Sequence, residues 1–272
     1  MASPVRAIHQ GEAITELCAE AGQSGPLPGK ILGCFTGGFY VRVEDSIFAV
    51  AGPRVSPGPI HLILDHDPPA VAGGTKVQLE PARLTFPGGN IDLTSAEAYA
   101  PRRPSVTELA NLAPWMAFWA SPEQHPDDLA SIWGSVCAAV AEGDLETAAA
   151  VLEGRGTGLT PSGDDALSGL LLFCNWSGTP LTRLVAIASR ARTTDLSWNF
   201  LRWAARGQSI EPVHILFSGS GDSLCPSSQA RRAAFEQTAD IVRGIGHRSG
   251  TALLAGLGLA AAVWKGRNGA PL

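Results

Sequence analysis

Hydrophobic and polar positions follow different patterns in the two halves of the chain. Between residues 25 and 95, short runs of β-branched, aromatic and leucine residues are separated by turns rich in Gly, Pro and Asn. Runs of this length and spacing predict a small antiparallel β-sheet or barrel, preceded by an amphipathic helix at 13–21. The predicted strands are 30–34, 39–43, 47–51, 60–64, 76–79, 83–86 and 91–93.

The second half has a helical pattern. A Pro- and Arg-rich segment at 101–104 separates the two patterns and is typical of a linker. Apolar residues then recur with the period of a helix, and start signals such as Ser105 followed by Glu108 support the assignment. Helices are predicted at 105–119, 127–141, 145–152, 164–176, 181–191, 196–206, 227–243 and 251–264. We therefore predict an α+β protein with a β-rich N-terminal domain at 1–100 and an α-helical C-terminal domain at 105–272.

Composition narrows the range of partners. The chain has a formal net charge of −5 and no basic run, so nucleic acid and acidic membrane surfaces are not expected as partners. The start of the sequence lacks the pattern of a secretory signal, and the longest apolar stretch, 251–264, is too short and too rich in glycine to span a bilayer. These features predict a cytoplasmic protein.

The most unusual local composition lies at 154–165, which reads GRGTGLTPSGDD and leads into a predicted helix. Its glycines permit backbone conformations that other residues avoid, and they let a ligand approach main-chain N–H groups. Thr160 and Ser162 can cap the following helix, whose N-terminus adds partial positive charge. We expect a small anionic substrate here, with a phosphate, carboxylate or carbamoyl group.

Two carboxylates separate this loop from a nucleotide P-loop. Gly158 and Gly163 have the P-loop spacing, but Asp164 and Asp165 stand where that motif has Lys and Ser or Thr. Either the two aspartates hold Mg²⁺ that bridges to the substrate, or they orient loop N–H groups and act on protons. Mg²⁺ is the one candidate cofactor, and Asp164 and Asp165 are candidates both as metal ligands and as catalytic residues.

Two further turns are candidates for the same site. The sequence GHRSG at 246–250 places His247 between glycines, which suits a ligand-facing loop and proton transfer. A helix C-cap followed by a new helix start explains the same residues. The hydroxyl-rich start TTDLS at 193–197 is explained equally well by helix capping and by ligand binding.

The segments GRGTGLTPSGDDALSGLL, TTDLS and GHRSGTALLAG resemble the smaller subunit of bacterial oxamate (oxalurate) carbamoyltransferase, a family associated with allantoin degradation. The resemblance is specific over 154–256. It implies partner subunits and the conversion of oxalurate and phosphate into oxamate and carbamoyl phosphate. This chain departs from the family pattern at Arg248, where a small hydroxyl residue is expected, and at Thr251 and Ala252, where an acidic residue is expected.

The loop chemistry and the resemblance together define the predicted site. The catalytic candidates are Asp164, Asp165 and His247. The substrate-binding candidates are Gly156, Thr157, Gly158, Thr160, Ser162, Gly163, Thr193, Thr194, Ser249 and Gly250. Three functions stay open at this point: a carbamoyltransferase subunit, a non-catalytic anion-binding or assembly subunit of such a complex, and a Mg²⁺-dependent hydrolase of a small amide.

Overall fold

The computed structural model describes residues 5–121, 124–218 and 228–272. The chain forms two compact units, residues 1–101 and residues 102–272. The first contains the strands and one helix, α1 (Glu12–Ser24), and the second is helical, so the predicted α+β class is confirmed.

The first unit is an eight-stranded β-barrel with one additional short strand. The barrel closes in the order β1-β5-β4-β3-β2-β6-β7-β8, because β1 pairs with both β5 and β8. The ninth strand pairs with the C-terminal end of β1, at His9 and Gln10. The strands are β1 (Val5–Gln10), β2 (Leu27–Phe35), β3 (Gly38–Val43), β4 (Ser46–Ala51), β5 (His61–Leu64), β6 (Lys76–Glu80), β7 (Arg83–Phe86), β8 (Gly89–Asp92) and β9 (Glu97–Ala98).

Alternating burial explains why these segments form a barrel. In β6 and β7, Val77, Leu79, Leu84 and Phe86 are buried, while the residues between them reach solvent. One face of each strand therefore fills the interior. The predicted antiparallel arrangement holds for most pairs, but β1 pairs in parallel with β8 and β9, and β4 pairs in parallel with β5.

The second unit contains nine α-helices among the residues that the structure describes. They are α2 (Val106–Met116), α3 (Ala130–Glu142), α4 (Leu145–Leu152), α5 (Ser162–Trp176), α6 (Leu181–Arg190), α7 (Asp195–Ala205), α8 (Glu211–Ser218), α9 (Ser228–Arg243) and α10 (Ser249–Gly266). Short 3₁₀ turns follow α2, at Ala117–Ala120, and precede α3, at Asp127–Leu129. Residue 227, the predicted start of α9, lies outside the described residues.

Caps fix several of the helix starts. Ser105 and Glu108 form the expected capping box, in which the Ser105 hydroxyl accepts from the Glu108 amide and the Glu108 carboxylate accepts from the Ser105 amide. Asp144 caps α4 by accepting from the amide of Thr147 at 2.9 Å. The prediction that Thr160 and Ser162 cap α5 is wrong. The N-cap of α5 is Pro161, and no side chain caps this helix. The Thr160 hydroxyl contacts Ser249 instead, and the Ser162 hydroxyl donates to Asp128.

The centre of the second unit is the contact between α5 and α10. A Cβ on Gly169 would lie 2.0 Å from the carbonyl oxygen of Leu253, and a Cβ on Gly256 would lie 1.9 Å from that of Ala166. Glycine at both positions therefore lets the two backbones touch and brings the starts of these helices together. Within the described parts of the chain, no helix has both the length and the apolar character needed to cross a bilayer.

Candidate functional site

The loop at 154–161, between α4 and α5, depends on three glycines. Gly154, Gly156 and Gly158 have φ angles of +67°, +110° and +97°. L-residues rarely adopt such angles, so side chains here would strain the loop. A Cβ on Gly156 would also lie 2.8 Å from the amide nitrogen of Ser162, whereas nothing lies within 4 Å of a Cβ on Gly158. The loop thus folds tightly against the start of α5 and is open at Gly158.

Asp164 holds this loop in place. Its Oδ1 accepts from the amide of Gly154 at 2.8 Å, and its Oδ2 accepts from the Thr193 hydroxyl. The residue is buried, and burial raises the pKa of its carboxyl, while hydrogen bonds from Gly154, Thr193 and Ser197 act in the opposite direction. Both oxygens therefore have donors, which is the bonding of a structural acceptor.

The first turns of α7 and α10 also contact the loop. The carbonyl oxygen of Leu159 accepts from the Thr194 hydroxyl at 2.5 Å and from the Ser197 hydroxyl at 3.4 Å. Thr160 Oγ1 lies 3.2 Å from Ser249 Oγ, at the start of α10. Three helices, α5, α7 and α10, therefore begin around one short loop, and each contributes the partial positive charge of its N-terminus.

The loop itself offers unused donors. Among the described residues, the backbone amides of 156–160 donate to no other protein group, and residues 154–159 are exposed. Free N–H groups beside three helix N-termini form the type of surface that binds phosphate and carboxylate groups. The amide of Gly163, in contrast, donates to the carbonyl oxygen of Arg155 at 2.7 Å.

Asp165 differs from its neighbour. Its Oδ2 is buried without a hydrogen-bond partner. Burial raises the pKa of this carboxyl to about 8, with the hydroxyl of Ser249 lowering it and the charge of Asp164 raising it. At neutral pH, Asp165 is therefore largely a neutral acid that can donate a proton.

These different bonding patterns bear on the Mg²⁺ prediction. Mg²⁺ needs near-octahedral oxygen ligands, and it is commonly held by one or two carboxylates together with substrate oxygens. Both oxygens of Asp164 already accept hydrogen bonds, whereas Asp165 has one oxygen without a partner. The described residues contain no group of three His, Cys, Asp or Glu side chains placed to hold a metal. A Mg²⁺ site held by both aspartates stays a prediction.

Two charged residues that the sequence analysis did not assign to the site, Asp128 and Arg248, lie beside the loop. Asp128 Oδ2 accepts from the Ser162 hydroxyl at 2.9 Å and lies 3.4 Å from a guanidinium nitrogen of Arg248. A Cβ on Gly156 would lie 3.0 Å from the same oxygen. Asp128 is the second of two aspartates after Pro126, in a segment typical of a helix start, so no local signal separates it from an ordinary first-turn acid.

The remaining predicted residues have varied surroundings. Thr157 and His247 are exposed. Gly163 and Gly250 are buried at close backbone contacts, where a Cβ would lie 2.0 Å from the Leu152 carbonyl oxygen and 1.7 Å from that of Val242 respectively. Packing accounts for both glycines, and their assignment to substrate binding stays a prediction. The structure brings together the loop, Thr193, Thr194 and Ser249.

The chain is similar to a known protein family over part of its length. Residues 152–261 match the family model described as "Oxamate carbamoyltransferase subunit AllH". This confirms the resemblance seen in the loop and its companion turns. The matched range includes α5, α7 and α10 as far as residue 261, but no part of the barrel. No solved structure matches the chain significantly.

Proposed function

We propose that this protein is a subunit of a carbamoyltransferase that acts on a small ureido acid, and that loop 154–161 binds the anionic substrate. The reaction is oxalurate plus phosphate to oxamate plus carbamoyl phosphate. The observation that carries the proposal is the set of free amides at 156–160 beside the starts of α5, α7 and α10. The match over residues 152–261 supports this reaction class, because oxamate carbamoyltransferase is named in the family's description.

The chemistry places two demands on such a site. A phosphate oxygen attacks the carbamoyl carbon, and negative charge develops on the carbamoyl oxygen, which loop amides stabilise. The bond from that carbon to the nitrogen of oxamate then breaks, and this nitrogen must gain a proton to leave. Asp165, with its raised pKa and a free oxygen, is suited to donate this proton and to recover one from the attacking hydrogen phosphate.

One observation favours a second candidate, an anion-binding or assembly subunit whose partner performs the chemistry. Residues 154–159 are exposed, and the side chain of Leu159 is 65% exposed at the edge of the loop. A partner subunit that covers this loop would exclude water from the bound substrate. The third candidate, a Mg²⁺-dependent hydrolase, and the cytoplasmic location stay predictions from the sequence.

The test is turnover of oxalurate and phosphate, followed as carbamoyl phosphate, by the full chain alone and with its partner subunits. For the catalytic subunit, Asp165→Asn lowers kcat by about 10²-fold or more, because the variant cannot donate the proton. Asp240→Asn, at an exposed aspartate of α9, is the matched control and keeps full activity.

The outcomes separate the three candidates. Full activity of Asp165→Asn in the complex, with oxamate still bound by the isolated chain, leaves the assembly subunit as the better account. Carbamoyl phosphate formation that stops in EDTA and returns with Mg²⁺ supports metal chemistry. Release of ammonia or carbamate with no carbamoyl phosphate supports the hydrolase.

A further inference from the structure

Arg248 and Asp128 form an ion pair beside the loop. Asp128 lies in the 3₁₀ turn Asp127–Leu129, and Arg248 is the residue before α10, so two separate segments supply the pair. Their closest atoms are 3.4 Å apart. The same Asp128 oxygen also accepts from Ser162, the first residue of α5. The guanidinium of Arg248 is thereby placed next to the tight part of the loop.

The two members of the pair differ in exposure. The side chain of Arg248 is 47% exposed and that of Asp128 is 23% exposed. An arginine carries five N–H donors in a planar fork, so one nitrogen can face Asp128 while others face a ligand. Arg248 therefore lies beside Asp128 and has donors that are open to solvent.

The other charged groups at the loop leave a need for such a cation. Asp164 accepts hydrogen bonds from the Gly154 amide and the Thr193 hydroxyl. Asp165 accepts from the Ser249 hydroxyl and has one buried oxygen without a partner. The carboxylates of Asp128 and Asp164 repel an anion at close range unless protons or cations offset their charge. Arg155 and His247 are exposed, and no described contact fixes either side chain to an acidic group of the site. Arg248 is ion-paired to Asp128.

We propose that Arg248, positioned by Asp128, binds the carboxylate or phosphate group of the substrate and so selects anions over neutral amides. This rests on the proposed function of loop 154–161. Arg248 is then a specificity-determining residue, and Asp128 is a positioning residue that acts through it. A serine or threonine at position 248 would be shorter than arginine and would lack the charged guanidinium that can bind an anion through two hydrogen bonds.

The first experiment compares two ligands that differ in charge. Isothermal titration calorimetry on the full chain measures the affinity for oxamate and, by competition, for oxamide, in which a neutral amide replaces the carboxylate. Arg248→Gln weakens oxamate binding by about tenfold or more and changes oxamide binding by less than about twofold, because a charge-assisted bond is lost only with the anion. Arg248→Lys retains part of the preference for oxamate. Arg232→Gln, at an exposed arginine of α9, removes the same charge and leaves both affinities unchanged.

The possible results separate this inference from the function it rests on. If the wild-type chain binds neither oxamate nor inorganic phosphate, the anion site at the loop is wrong and the role of Arg248 is lost with it. If the wild type binds oxamate and Arg248→Gln binds it equally well, the anion site stands and Arg248 is not its cation. Equal losses for oxamate and oxamide contradict a role in charge selection.

The second experiment tests whether Asp128 acts through Arg248. Asp128→Asn keeps an oxygen that can accept from Ser162 and removes the charge that holds the guanidinium. It weakens oxamate binding by about threefold or more in the native background and has no effect in the Arg248→Gln background, as expected of a coupled pair. An effect that persists in the absence of Arg248, or tighter binding in the native background, overturns the positioning role.

Discussion

Asp164 and Asp165 are adjacent in sequence and differ in what they bond. Asp164 accepts from Gly154 and Thr193, while Asp165 keeps a buried oxygen without a partner. Their position at the start of a helical pattern is typical of acidic residues in a first helical turn, and both lie in the first turn of α5. The side that each carboxylate faces depends on α7 and α10 packing against α5, which no local pattern encodes. The sequence therefore predicts that both aspartates lie at the loop, but it cannot predict that the two carboxylates have different hydrogen-bond partners.

Removal of the Asp164 carboxylate is predicted to destabilise the second unit. Asp164→Ala leaves the Gly154 amide and the Thr193 hydroxyl without their acceptor. Each group left unsatisfied costs about 1–3 kcal/mol, so urea denaturation followed by fluorescence should show a free energy of unfolding that is lower by at least that amount. Asp240→Ala, on the exposed face of α9, is the control and stays within about 0.5 kcal/mol of the wild type. A stability for Asp164→Ala equal to that of the control would rule out the structural role.

The titration of Asp165 predicts how stability depends on pH. In the unfolded chain an aspartate titrates near 3.8, and in the folded protein burial raises the pKa of Asp165 to about 8. The stability linked to its proton is thus fully present below about pH 4 and is lost as pH rises through 8. Asp165→Asn cannot titrate, so its melting temperature relative to the wild type should rise from pH 5 to pH 9, by roughly 2–4 °C per kcal/mol of lost wild-type stability. A difference that does not change with pH contradicts the raised pKa.

The helices could be predicted well because their signals are local. Apolar periodicity located them, and the capping box at Ser105 is present as expected. The prediction missed α8, which is preceded by Ile210 rather than by a residue that favours an N-cap. It also missed β1, because that strand is defined by its pairing with β5, β8 and β9. Barrel closure depends on the same pairing, so the sequence left open a choice between sheet and barrel.

The crossing of α5 and α10 gives a prediction for the elements that position the loop. In Gly169→Ala the new Cβ would lie 2.0 Å from the Leu253 carbonyl oxygen, so the helices must separate. We expect a loss of about 1–3 kcal/mol or more in thermal or urea unfolding, together with weaker oxamate binding. Gly134→Ala is the matched control, because Gly134 lies in α3 with nothing within 4 Å of an added Cβ. It should be neutral or more stable by up to about 1 kcal/mol. Equal effects of the two substitutions would contradict close helix contact.

At the scale of the whole molecule, the exposed loop predicts a contact with a partner subunit. Leu159→Ser should weaken association with the proposed partner subunits by about tenfold, since an exposed apolar side chain of the loop is lost. Binding of oxamate by the isolated chain should not change. Val106→Ser, at another exposed apolar position, is the control for a general loss of surface hydrophobicity. Analytical ultracentrifugation of the mixed subunits measures both, and equal association of the two variants contradicts a partner at the loop.

We propose that the loop at 154–161 is an anion-binding site formed where α5, α7 and α10 begin. A crystal structure of the full chain with saturating oxamate would show whether the ligand binds there. We expect ligand density within hydrogen-bond distance of the amides of 156–160, with the carboxylate facing Arg248. Density at another surface, or an empty loop at a concentration that saturates binding in solution, would contradict it.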